Sequence, residues 1–377
     1  MTHIYLDYNA SAPLHPDAWA VMEPVLKVQG GAHNASAVHH YGRAGRKIVE
    51  DARRHVAQLV GADVNQVIFN SGATEGNNTV LRHFSETYAD EVILVSSIEH
   101  PSVLEGLEAH GRIQCVPVDG DGRIRLDALE EMLSGEGKVS LLSCMAVNNE
   151  TGVIQDIASL SALAHRHGAL FHCDATQAAG RIPVDMKALG IDFLTLSSHK
   201  IGGPQGVGAL VLGLCGQTPK LLFGGGQEKS TRAGTENVAG IAGFGAAAGA
   251  VLAGLEDYQG LAALRDRLEV ELKAISPEII IHSKDALRVV NTSFFSLAGA
   301  NAQSMLMALD LEGIAVSNGS ACSSGSVKPS ITLKAMGQSA EIASSALRVS
   351  IGWDTKEGDI DAFLSAWTKI YSRIKVG

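Results

Sequence analysis

The chain has 377 residues, 46% of them hydrophobic and 19% charged, with a formal net charge of −10. That length and apolar content suit a large α/β domain with a smaller one appended, and an acidic balance without any Lys/Arg block excludes a binder of nucleic-acid phosphates. Five scattered cysteines (Cys115, Cys144, Cys173, Cys215 and Cys322) with no CxxC pair exclude a disulfide framework or a zinc ribbon and fit a reducing compartment.

Residues 1–7 show no basic region followed by an apolar one, so no secretory signal is expected and the chain is read as cytoplasmic. Residues 41–60 form the first helical pattern, with Ile48, Ala52, Val56 and Leu59 on one face and Gly61 as the stop. Short apolar runs at 67–69, 92–95, 113–118, 139–147, 169–173, 193–196 and 209–212 are predicted strands. A helix is predicted at 156–167, where Ile157, Leu160, Leu163 and Ala164 share a face before Gly168. Strand and helix in alternation imply a mainly parallel sheet covered on both faces. Residues 238–255 carry no charge and imitate a membrane span, but Gly and Ala dominate them, so a tightly packed internal helix is expected. After about residue 256 the pattern changes to a charged helix at 261–275 and strands near 289–295, 314–316 and 347–351, a second and smaller α+β unit.

Three polar clusters follow predicted strands. Asn70-Ser71-Gly72-Ala73-Thr74-Glu75-Gly76-Asn77-Asn78 places small residues where a helix begins. It reads either as a phosphate seat built from free N–H groups and the Thr74 hydroxyl, or as a turn that merely caps the helix. Asp174, at the end of 169–173, is either a helix cap or the partner of a protonated heterocyclic nitrogen, as used with pyridoxal phosphate. Lys200, in Ser197-Ser198-His199-Lys200-Ile201-Gly202-Gly203, follows a buried strand at once. A lysine there either snorkels to the surface or is desolvated into a Schiff-base nucleophile. The three clusters in this order favour the second reading. Cys322 lies in Ser317-Asn318-Gly319-Ser320-Ala321-Cys322-Ser323-Ser324-Gly325-Ser326, a run too small and polar to pack a core. An exposed, reactive thiol is expected there.

Across essentially its whole length the chain resembles the cysteine desulfurases, within the fold type I, class V pyridoxal phosphate enzymes. The resemblance rests on Tyr5-Leu6-Asp7-Tyr8-Asn9-Ala10-Ser11-Ala12-Pro13, Ser71-Gly72-Ala73-Thr74-Glu75, Glu99-His100 and Val147-Asn148-Asn149-Glu150-Thr151-Gly152. It continues through Asp174-Ala175-Thr176-Gln177, His199-Lys200, Arg232-Ala233-Gly234-Thr235, Gly319-Ser320-Ala321-Cys322 and Leu347-Arg348-Val349-Ser350. Each string is common; the set in this order is specific.

The resemblance implies a fold type I transferase: a large domain (13–256) around a mainly parallel seven-stranded sheet, and a small domain (1–12 with 257–377) carrying the Cys322 loop. It implies pyridoxal 5′-phosphate bound covalently by Lys200, with His100 stacked on the ring and moving protons, Asp174 on the ring nitrogen and Gln177 on the ring hydroxyl. Ala73, Thr74, Ser197 and His199 would hold the phosphate, joined by Thr235 from a neighbouring subunit, which implies a homodimer with shared sites. Asn149, counted with both cofactor and substrate, and Arg348 would bind the carboxylate of L-cysteine, with Asn34 as a further substrate contact. The Cys322 thiolate would take the sulfur as a persulfide, release alanine, and pass the sulfur to an acceptor protein, with iron–sulfur cluster assembly the expected destination.

Four features depart from the family pattern. The usual Gly-Asn-Pro-type turn is Ala32-His33-Asn34-Ala35-Ser36, leaving the Asn equivalent open between His33 and Asn34. Ser198 replaces a common Gly, and Asn318 a common Ser. The chain reads as ending without the longer tail with which some members dock their scaffold. Rival readings are a metallohydrolase using His165, His167, His172, Asp174 and His199, a selenocysteine lyase or other class V enzyme, and a catalytically silent sulfur carrier. His165 and His167, two apart on a helix, point to different faces and do not chelate together easily. The other class V enzymes need no loop nucleophile, and a silent carrier has no use for Lys200, Asp174 and His100 together.

Overall fold

The computed structural model describes residues 3–27, 31, 33–105, 112–319 and 328–376. Twelve strands lie among them. In chain order they are β1 (Ile4–Tyr5), β2 (Val67–Asn70), β3 (Val92–Ser96), β4 (Ile113–Val116), β5 (Val139–Met145), β6 (Leu170–Asp174), β7 (Phe193–Ser197), β8 (Gly208–Leu212), β9 (Ile280–Ile281), β10 (Thr292–Ser296), β11 (Ile314–Ala315) and β12 (Ala346–Ser350).

Seven of these form one sheet in the order β2-β8-β7-β6-β5-β3-β4. Only β8 runs against its neighbours. Every residue of β5 is buried, as expected of a strand covered on both faces. The strand ends have local causes. Pro117 has no N–H to offer, so β4 stops at Val116, and Val118 instead bridges Ile124. Val147 leaves β5 to bridge Ile154, and Val153 bridges Arg288, so β10 begins only at Thr292.

The apolar helix Val238–Ala253 is spent on close packing against the helix His40–Leu59. A Cβ on Gly245 would lie 2.4 Å from the Ala52 Cα, so only glycine permits this approach. Among the described residues no single helix is long and apolar enough to cross a membrane.

A second apolar core gathers Leu6, Leu268, Leu272, Phe295, Phe363 and Trp367 between the antiparallel sheet β12-β10-β9 and the helices Leu261–Ile275, Ala302–Leu311 and Glu357–Val376. The N-terminal segment belongs to it: β1 pairs in parallel with β11, and Tyr8 N donates to Ser350 O. The same segment then crosses to the large sheet, where Ala12 N donates to His199 O (2.8 Å) and His15 N to Gly202 O (2.7 Å). It therefore brackets the turn that carries Lys200.

Candidate active site

The C-terminal ends of β2, β3, β6 and β7 open on one side of the large sheet, where ligands bind in open α/β folds. Lys200 closes the short turn Ser198–Lys200 after β7. Its Nζ donates to the carbonyls of Asn9 and Ala10, both at 2.7 Å. Burial, reinforced by the charges of Arg348 and Arg181, brings its pKa down to about 7. His199 beside it is neutral, pushed down to about 4 by burial and by Lys200, and its Nδ1 lies 3.2 Å from Ser11 Oγ.

Asp174 ends β6 as a buried carboxylate. Its Oδ2 accepts from Asn77 Nδ2 (2.8 Å) and its Oδ1 from Thr176 N (2.9 Å). The same Asn77 Nδ2 reaches Ser102 Oγ at 2.9 Å, and Ser102 Oγ lies 2.9 Å from His100 Nδ1. His100 caps the short helix Pro101–Leu104, its Nδ1 accepting from Ser102 N at 3.1 Å. Burial lowers its pKa against the opposing pull of Asp174. Glu99, buried next to it, has its pKa raised well above the carboxylate range by burial and accepts from Met145 N.

Ala73 and Thr74 open the helix Ala73–Thr87, whose first N–H groups have no helical partners. The capping residue Gly72 adopts φ 150°, which a side chain would resist. A Cβ there would lie 3.9 Å from Ser197 Oγ, so that hydroxyl faces the helix start. Glu75 holds Ser71 N (2.9 Å) and pairs with Arg232 (2.9 Å), tying this turn to the segment before Thr235.

Arg348, buried on β12, donates to Asp7 Oδ1 (2.6 Å) and to the Asn149 carbonyl (2.8 Å). Gln177 Nε2 donates to Asn9 O at 2.9 Å. The Asn9 side chain links Asn149 O, Thr292, Arg181 and Asn291. These contacts join Lys200, Gln177, Asn149 and Arg348 through Asn9, while Asp174, Asn77, Ser102 and His100 form a second chain whose Asp174 lies near enough for its charge to act on Lys200 and His100. Asn34 and Thr235 stand elsewhere. They line a separate cavity of about 610 Å³ together with His33 and Tyr41, whereas Lys200 lines one of about 330 Å³ with Arg181, Tyr258 and Trp353. Cys322 lies outside the described residues.

The remaining candidates have local roles. His165 Nε2 meets Asp192 at 2.7 Å and His167 Nε2 meets Glu130 at 3.0 Å, two separate pairs. His172 sits between Ser143 and Thr195. Cys144 and Cys173 are core residues, and burial raises both thiols well above their usual range. Asn9, Asn77, Ser102 and Arg181 had no assigned role in the sequence reading. One signal was available: Asn77 shares a helical stripe with Val80, Leu81 and Phe84, so a polar residue occupies a core position.

A polar ligand suits this site. Gln177 Oε1, Thr176 Oγ1 and Arg348 Nε are buried without a partner in the polypeptide. Each such group costs about 1–3 kcal/mol unless something pairs with it. With an amine, a strand-end carboxylate and an open helix N-terminus beside them, the residues fit a phosphorylated aldehyde carrying a ring nitrogen.

A mainly parallel seven-stranded sheet bearing a strand-end lysine and aspartate defines an α/β enzyme of fold type I. The family described as Aminotransferase class-V matches residues 4–363. A protein of Dictyoglomus turgidum named cysteine desulfurase IscS is 38% identical, covering 99% of this chain and 95% of its own. The solved structure of a NifS-like protein from Rickettsia africae superposes with a TM-score of 0.91 at 34% identity, covering 98% and 99% of the two chains. A structure described as SspA in complex with cysteine is 28% identical with a TM-score of 0.79, over 92% and 98% of the two chains. The chain belongs to the class V aminotransferase family, among its cysteine desulfurases, which are pyridoxal phosphate enzymes.

Proposed function

We propose that this cysteine desulfurase binds pyridoxal 5′-phosphate through Lys200, takes the sulfur of L-cysteine onto Cys322 and hands it to an acceptor protein. The observation that carries the reading is the Lys200 amine, seated on the Asn9 and Ala10 carbonyls, under the charges of Arg348 and Asp174 and partly neutral near pH 7. When bound, the cofactor supplies an aldehyde for amines and a ring that accepts the electron pair left by a departing proton.

The polypeptide does the rest. Lys200, partly unprotonated, serves as nucleophile and base. Asp174 at the end of β6 is the acceptor for a ring N–H, and Gln177 Oε1, without a partner in the polypeptide, faces a ring hydroxyl. Ala73, Thr74, Ser197 and His199 seat the phosphate. Arg348, a planar fork beside Asn149, binds both oxygens of the substrate carboxylate once Asp7 yields. The Cys322 thiolate attacks the substrate sulfur: the sulfur–sulfur bond forms as the carbon–sulfur bond breaks. The carbon takes the electron pair and a proton to become the methyl group of alanine, leaving a persulfide on Cys322.

Residues 13–256 are taken as the large domain and 1–12 with 257–377 as the small one, a division supported by the second apolar core, which draws only on the small unit, while Val289, Phe294, Leu333, Met336, Ala343 and Ala346 of that unit pack into the large core. The working unit is a homodimer in the cytoplasm, with Thr235 serving the partner's site. Its placement on a different cavity from Lys200 supports that assignment. An iron–sulfur scaffold is the proposed sulfur acceptor, without nucleic acid or membrane. Purified protein given L-cysteine should release alanine and accumulate a persulfide that maps to Cys322. Cys322→Ala should abolish both while the cofactor absorbance stays; alanine release at an undiminished rate would instead mean a lyase that needs no loop nucleophile.

A further inference from the structure

The contacts between Asp174 and His100 have a direction. Asn77 is fully buried, and its amide nitrogen, with two hydrogens, faces Asp174 Oδ2 and Ser102 Oγ. Turned the other way, its oxygen would meet a carboxylate oxygen, so the orientation is set by charge. Ser102 Oγ therefore accepts from Asn77, and its own hydrogen is left for His100 Nδ1 at 2.9 Å. The backbone N–H of Ser102 also points at Nδ1, at 3.1 Å, as the cap of the helix Pro101–Leu104. An N–H cannot reverse its role. Two donors on one nitrogen leave no room for a hydrogen there.

We propose that Ser102, held by Asn77, is a positioning residue that fixes the neutral His100 ring with Nδ1 as acceptor and the hydrogen on Nε2. His100 is then a proton donor at Nε2 in the resting enzyme. Taking up a second proton means adding it at Nδ1, which breaks the cap and turns the Ser102 hydroxyl from donor to acceptor. Removal of the substrate proton thus falls to Lys200, and His100 returns one. This division of labour deepens the desulfurase reading and rests on it; the tautomer itself does not.

The charged groups facing His100 are Asp174 from β6, Lys200 from the turn after β7 and Glu105 from its own short helix. None of them is bonded to Nδ1, where among the described residues the contacts come from Ser102. Loss of the hydroxyl removes a donor that favours the unprotonated ring, so the His100 midpoint should rise. One neutral hydrogen bond corresponds to a three- to tenfold change in that equilibrium, roughly half to one pH unit.

The test is nitrogen-15 spectroscopy of holoenzyme labelled at histidine, with His100→Gln used to assign the signal. Two-bond couplings report which ring nitrogen carries the hydrogen. The wild type should show a bare Nδ1 and a protonated Nε2 at neutral pH. Ser102→Ala should raise the midpoint, and Ser102→Thr, which keeps a hydroxyl, should restore it. A hydrogen on Nδ1 in the wild type overturns the proposal, even if Ser102→Ala fails to fold. Equal midpoints in all three proteins overturn it too. The same spectrum is informative whether or not alanine is released, so a failure of this inference is distinct from a failure of the proposed activity.

Discussion

Lys200 is a cation by habit, kept where a cation is disfavoured. Its two carbonyl acceptors offset part of the desolvation, but Arg348 and Arg181 add positive charge nearby. With the pKa near 7, the neutral amine dominates above that pH, and its fraction falls about tenfold for each pH unit below it. The rate at which cofactor-free protein captures pyridoxal phosphate, followed by absorbance, should therefore be flat above pH about 7.5 and decline with unit slope towards pH 5. A decline centred near pH 10 would show an ordinary, solvated lysine. Asp174 was legible in the sequence because it ends a short apolar run, and Lys200 because it follows one within four residues, where a charge is conspicuous. Asn9 and Ser102 were not, because their meaning lies in partners far along the chain: Asn9 meets Thr292, and Ser102 meets Asn77.

Whole elements were easier to read than their ends. All seven strands of the main sheet were legible as apolar runs, whereas their limits depended on Pro117 and on bridges such as Val147 to Ile154. The turn Glu228–Ser230 was missed altogether. Its residues Glu228, Lys229 and Ser230 all have positive φ (42°, 57° and 61°) without being glycine, and no local pattern announces that. The buried Glu228 carboxylate holds the turn, gripping Arg53 at 2.7 and 2.9 Å and accepting from Phe69 N on β2 at 2.8 Å. Glu228→Ala leaves the buried Arg53 with only the half-exposed Glu50 (3.1 Å) for a charge partner and should cost about 3 kcal/mol in urea unfolding. Gly245→Ala acts at the contact between the helices His40–Leu59 and Val238–Ala253, where the added carbon meets backbone. A loss of about 1–3 kcal/mol is expected from that overpacking, and a stabilised variant would show that the two helices part freely.

Across the molecule, the proposed sharing of sites makes a sharp expectation. Lys200→Ala and Thr235→Val should each be impaired as homodimers. Co-expressed with different tags and purified as the mixed dimer, they should regain close to half of wild-type activity. One site then has its lysine and its threonine intact, supplied by different chains. If Thr235 served its own subunit, no site in the mixture would be whole and nothing would return. The gross architecture behind this was legible early, since alternating strands and helices dictate a covered parallel sheet. That the first residues of the chain join the second core was not legible in β1 itself, a strand of two residues, and the expected 1–12 grouping came from resemblance alone.

The N-terminal segment has a consequence for biosynthesis. Residues 4–9 are translated well before Thr292, Ile314 and Ser350, on which they dock. The oxygen atoms that cradle the Lys200 amine belong to that waiting segment. A nascent polypeptide arrested before residue 292 thus has the amine but not its fixed seat, which forms only after Thr292, Ile314 and Ser350 have been made.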